Sequence, residues 1–134
     1  MIDHIKHQVA QLRPAMLEWR RHLHQHPELS FQEHRTAAYV QAVLSAEGIG
    51  TRAGVGKLTP GSLGTGIIAV VRGEAGPSDR CIALRADLDA LPIQELGKPD
   101  YCSTVPGVMH ACGHDVHTSM VLAAGIALHR LRKE

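Results

Sequence analysis

A thiol and an imidazole stand two residues apart at Cys112-Gly113-His114, with a glycine between them. Thiolate sulfur and imidazole nitrogen both ligate divalent ions such as zinc, and the intervening glycine relaxes the backbone so that both side chains can turn inward. Asp115 and His117 follow as further ligands, or as acceptors for the second ring nitrogen of a ligating histidine. Two ligands do not close a site that needs three or four. The spacing therefore leaves another reading open, a buried cysteine beside an aspartate that caps a helix. A third reading makes Cys112 a nucleophile beside a histidine, but no separate orienting group is evident for it.

The second chemical signal is Arg85-Ala86-Asp87-Leu88-Asp89-Ala90-Leu91-Pro92. Its two carboxylates lie two apart just after an apolar run, so extended backbone places them on one side. Such a pair can orient a metal ligand, bridge cations or titrate. The plainer alternative has Asp89 capping a short turn before Pro92 and Asp87 pairing with Arg85 or a backbone amide. His22, His24 and His26 alternate along a helix end, where residues two apart do not share a face, so they form no chelating cluster. They read as solvated positions or as one packed histidine, as do His4, His7, His34 and His129. Cys81 sits in an apolar run and reads as a small core residue, whereas Cys102 carries no assignment.

These residues need elements to place them. Ile5, Val9 and Leu12 have helical spacing from about Ile2 to Leu12; Pro14 then interrupts, opening a second helix that runs to about Gln25. His26-Pro27 ends that helix. Ser30-Phe31-Gln32-Glu33 has the pattern of a capping box, followed by a helix with Ala37, Val40, Val43 and Leu44 on its apolar face and Gly48 as its stop. Gly50 to Gly64 reads as a strand fragment plus a loop. Two strands are expected at Gly66–Val71 and Cys81–Leu84, separated by the turn-rich stretch from Gly73 to Asp79. A long connection reaches Gly113, and a final helix from about Asp115 to Arg132 carries the stripe Met120, Ala123, Ala124, Ala127, Leu128 and Leu131. Helices, then strands, then a strand-loop-helix unit define an α/β layered domain, in which Asp87 and the Cys112/His114 loop meet where strands end.

Composition narrows the partners. The 134 residues suffice for one domain with a real core, and an apolar share of 44% disfavours disorder. Fourteen basic and thirteen acidic residues leave a formal charge of +1, with no basic run to suggest a nucleic-acid or membrane partner. No leader-like apolar region follows the polar start Met1-Ile2-Asp3-His4, and three irregularly spaced cysteines make a poor disulfide framework. The expected compartment is the cytoplasm. At 3% aromatic residues, the core must be aliphatic.

Three stretches together resemble a known family. Arg21-His22-Leu23-His24-Gln25-His26-Pro27-Glu28-Leu29-Ser30-Phe31-Gln32-Glu33 resembles the opening motif of the aminoacylase and hippurate hydrolase family of metallopeptidase-like amidohydrolases. Arg85 to Pro92 is similar to its second motif. Pro106-Gly107-Val108-Met109-His110-Ala111-Cys112-Gly113-His114-Asp115-Val116-His117-Thr118 is similar to its third. The motifs occur in the family's order and span nearly the whole chain.

The resemblance implies an α/β fold, the three-layer α/β/α metallohydrolase catalytic domain, with residues 1–134 as its truncated N-terminal portion and the lid domain absent. It implies Cys112 and His114 as metal ligands and Asp87 and Asp89 as candidate catalytic residues. Related metallopeptidases carry His-x-Asp before a proline, their histidine falling on Asp87 and their aspartate on Asp89. The implied cofactors are two divalent ions, manganese, zinc, nickel or cobalt, acting on the amide bond of a small-molecule N-acyl amino acid or related amide. In the family a general-base glutamate follows the last helix in a Glu-Glu pair, with further ligands and a lid through which members homodimerise. Glu134, the only glutamate in this chain's final segment, does not match that pair. The chain therefore carries part of the dinuclear site. The alternative is a catalytically inactive fragment, or one that needs a complementary chain.

Overall fold

The computed structural model describes residues 2–57 and 59–134; Met1 and Leu58 lie outside the described residues. The element order is α1 (Ile2–Gln25), α2 (His34–Ala46), β1 (Thr51–Val55), β2 (Gly66–Ala69) and α3 (His114–Arg130).

The expected break at Pro14 does not occur, because α1 runs unbroken through it. Proline removes one backbone hydrogen bond and crowds the preceding turn, but Pro14 lies on the exposed side. On the opposite side Leu12, Met16 and Trp19 pack into the core, and that packing holds the helix together across the fault.

The expected capping box also gives way to another device. Glu33 is the N-cap of α2 without any side-chain cap bond, and Ser30 lies in the preceding turn. Glu28 caps α2 instead, its carboxylate accepting from the backbone N–H of Arg35 (3.2 Å) and of Thr36 (2.8 Å). At the other end Gly48 (φ 74°) adopts the left-handed conformation, and Gly48 and Ile49 donate to Ser45 and Leu44. That is a Schellman ending, and it seats Ile49 in the core.

β1 and β2 form an antiparallel pair, Thr51 opposite Ala69 and Ala53 opposite Ile67, with a bulge between Ala53 and Val55. Gly54 (φ 77°) supplies the backbone for the bulge. Gly64 must be glycine for another reason, since a Cβ there would lie 1.9 Å from the carbonyl oxygen of Val55. The strand expected at Cys81–Leu84 pairs with no strand among the described residues. Ile82 is 76% exposed and Cys81 is exposed rather than in the core, so both expectations are corrected. An apolar run with no neighbouring strand has neither ladder bonds nor a layer to bury against.

The core is aliphatic, as the low aromatic content requires: Leu12, Val40, Leu44, Ile49, Leu122, Ala123, Ile126 and Ala127. α3 supplies four of these eight residues, and they pack between α1 and α2. The buried face of α3 is rotated from the expected stripe, with Met120 (54% exposed) and Leu128 facing out and Asp115, Thr118 and Ser119 facing in. Polar residues can occupy that face because each is hydrogen-bonded: Thr118 Oγ1 donates to the Asp87 carbonyl and Ser119 Oγ to the Asp115 carbonyl.

Candidate metal centre

Backbone hydrogen bonds draw the three motifs together. The Ala90 N–H donates to the Glu28 carbonyl (2.8 Å), and Leu91 and Met109 exchange a reciprocal pair at 3.0 Å. The isolated bridges Leu29–Ala90 and Leu91–Met109 record the same joins. The long connection between them lacks regular structure but is tied down: Ser103 Oγ reaches the Val105 and Val108 carbonyls, and Thr104 bonds the Gln25 carbonyl.

Gly113 (φ 84°) precedes α3 in the left-handed conformation, which fits the expectation that glycine frees the backbone between Cys112 and His114. Cys112 is exposed. His114 begins the helix, and its Nδ1–H donates to the Asp89 backbone oxygen (2.8 Å) and to Asp89 Oδ1 (3.0 Å). With the proton on Nδ1, Nε2 of the neutral ring carries the lone pair. A metal-ligating histidine is normally oriented by just such an acceptor on its other nitrogen.

Asp87 and Asp89 part company. Asp87 forms an ion pair with Arg85 at the surface, and its backbone oxygen accepts from Thr118. Asp89 faces His114. Asp115 turns away from the loop, 1% exposed and bonded to α1. His117 is exposed, its ring 6.2 Å from that of His114. Among the described residues, no group of three or more His, Cys, Asp or Glu side chains converges to hold a metal ion. The sulfur and nitrogen donors of Cys112 and His114 nevertheless fit two positions on a divalent ion.

Behind the loop lies a buried polar layer that sequence reasoning did not anticipate. His24 is the one packed histidine of its trio, with Nδ1 2.8 Å from Asp115 Oδ2 and Nε2 3.2 Å from Glu95 Oε1. Arg20 Nε reaches the same Asp115 oxygen at 3.0 Å. The Ser103 backbone N–H (2.7 Å), with the Cys102 thiol and His24, holds the Glu95 carboxyl below its ordinary range despite burial. His110 is buried with both ring nitrogens unpartnered among the described residues, as is Asp115 Oδ1. Burial pushes His110 down to about 4, against the pull of the Asp115 carboxylate. The i, i+4 spacing of Arg20 and His24 was a usable signal for a shared face. Glu95 gave none, because its partner is 71 residues away.

Residues 83–134 match Peptidase family M20/M25/M40 and form part of a domain of that family. It is 42% identical over 132 residues to the N-acyl-L-amino acid amidohydrolase of Geobacillus stearothermophilus, covering 98% of this chain and 33% of that protein. A solved chain from methicillin-resistant Staphylococcus aureus, assigned as an aminohydrolase, superposes with a TM-score of 0.86 at 36% identity, over 98% of this chain and 33% of that one. Bacillus subtilis YXEP, described as a dinuclear metal-binding peptidase of the M20 family, gives a TM-score of 0.78 at 42% identity, over 92% of this chain and 32% of that one. The chain thus spans about a third of the length of the relatives it matches. No helix among the described residues is long and apolar enough to cross a membrane.

Proposed function

We propose that this chain supplies part of the dinuclear site of a metal-dependent amidohydrolase that cleaves the amide bond of N-acyl amino acids or related small amides. Cys112 and His114 are its metal ligands and Asp89 orients His114, while Asp87, paired with Arg85, is the second candidate catalytic residue. The observation that carries this reading is the Asp89–His114 contact, which leaves Nε2 of His114 as a lone-pair donor. Bound divalent ions, drawn from manganese, zinc, nickel or cobalt, would supply an activated water and a polarised carbonyl. The remaining ligands and the general base belong, in this reading, to the part of the relatives that this chain does not span. Residues 1–134 then form the N-terminal part of a catalytic domain, acting on a small molecule rather than on nucleic acid or membrane. Three free cysteines fit a cytoplasmic setting.

Cobalt(II) titration of the chain tests the ligand assignment. A sulfur-to-cobalt charge-transfer band should develop, disappear in Cys112→Ser and weaken in His114→Ala; its absence from the unsubstituted chain sinks the assignment. Hydrolysis of hippurate or N-acetyl amino acids by the chain alone should be negligible with manganese or zinc, because the general base is missing. Activity that survives EDTA but not cysteine alkylation would move Cys112 to the nucleophile role.

A further inference from the structure

Under the Cys112/His114 loop, three distant segments meet through charge. Arg20 and His24 project from α1, Glu95 from the connection after the second motif, and Asp115 from the first turn of α3. His24 is 4% exposed, Glu95 9% and Asp115 1%. Each imidazole nitrogen faces its own carboxylate oxygen, an arrangement that a doubly protonated ring satisfies on both sides. Arg20 adds its guanidinium to the same Asp115 oxygen and stacks over Tyr101, 4.5 Å from the ring centre.

Such a cluster is a poor way to gain stability. Burying ionisable groups costs about as much as their attraction returns, and apolar residues of the same volume often do as well or better. What charge provides and apolar packing does not is direction. Asp115 directly follows His114, and the residue before His114 is Gly113, whose backbone is the least constrained in the loop. The Asp115 carboxylate is therefore the nearest fixed point from which the first turn of α3, and the Cα–Cβ direction of His114, can be set.

We propose that His24 is a positioning residue for His114, acting through Asp115, with Arg20 sharing the same anchor and Glu95 holding the far side of the ring. This rests on the reading of Cys112 and His114 as ligands. Asp89 fixes the tautomer and tilt of the His114 ring; the His24–Asp115 anchor fixes where the ring starts from.

Two isosteric substitutions separate positioning from bulk stability. In His24→Asn the amide nitrogen replaces Nδ1 and keeps the donor to Asp115. In His24→Gln it replaces Nε2 and keeps the donor to Glu95. Both remove the ring, so both should lower the melting temperature by similar amounts. Cobalt(II) affinity, read from the sulfur-to-cobalt band, should stay near that of the unsubstituted chain in His24→Asn and fall about tenfold in His24→Gln, the size typical of lost support behind a ligand. Equal affinity losses in the two, or losses that follow melting temperature, overturn the proposal. If neither variant folds, Arg20→Gln and Glu95→Gln carry the same comparison, with the affinity loss expected only for Arg20→Gln and its absence there counting against the proposal. An unsubstituted chain without the band overturns the ligand assignment itself, and this proposal with it.

Discussion

Asp89 meets His114 twice, once through its backbone oxygen and once through its carboxylate, and both contacts fall on Nδ1. The two acceptors are not equivalent. Removing the carboxylate in Asp89→Ala leaves the carbonyl, 2.8 Å from Nδ1, to hold the tautomer, so the ring is loosened rather than released. Metal affinity of the chain should therefore fall about tenfold, at the low end of the range for a lost hydrogen-bond acceptor behind a ligating histidine. Calorimetric zinc titration of the two proteins measures it. An unchanged affinity would mean that the side-chain contact is incidental.

What could be read in advance divides along a physical line. Features set by neighbours in sequence were legible: the α2 apolar face with its Gly48 stop, the α3 helix, and the Cys112-Gly113-His114 turn all depend on residues within a few positions of one another. Features set by contacts between distant segments were not. Pro14 reads as a break because local propensity says so, yet packing of α1 against α3 overrides it. Ser30 fits a capping pattern, but Glu28 wins α2 because the Ala90 N–H bond to the Glu28 carbonyl fixes where that turn lies. Cys81–Leu84 reads as a strand from composition, and a strand needs a partner that composition cannot supply. In the candidate site, Cys112, His114, Asp87 and Asp89 stood out by type and spacing, whereas Arg20 and His24 offered only a shared helix face and Glu95 nothing, and the buried Asp115 is what brings them together.

Glu28 gives α2 a pH-dependent cap. Burial alone would raise its pKa, but bonds from the backbone and hydroxyl of Thr36, then from Arg35, hold the carboxyl below its ordinary value of 4.5. An acid with a lowered pKa in the folded protein stabilises it above the unfolded value, and that contribution fades as pH falls through the lower, folded one. Glu28→Ala should lose about 1 kcal/mol near neutral pH, the usual loss for a helix cap. The gap between the two proteins should then close as pH drops below 4.5. Urea unfolding of both across that range isolates Glu28, because every other carboxylate is common to the pair. A gap that persists undiminished in acid rules out the carboxylate as the cap.

Gly113 and Gly64 are both glycines beside functional or structural turns, but they are required for different reasons, and substitution should tell them apart. At Gly113 the backbone is left-handed (φ 84°) and nothing lies within 4 Å of where a Cβ would sit. Gly113→Ala should therefore show only the conformational penalty, about 1–2 kcal/mol. Gly113→Asn should recover part of it, because asparagine tolerates that region. At Gly64 the backbone is ordinary, but a Cβ would collide with the Val55 carbonyl at 1.9 Å, and neither group belongs to a flexible side chain. Gly64→Ala should be the more damaging change, and Gly64→Asn should offer no rescue. The two pairs of variants, compared by chemical denaturation, make a direct test: rescue by asparagine at residue 113 but not at residue 64 is the expected pattern. Rescue at neither position would mean that the left-handed backbone is not what requires glycine at residue 113.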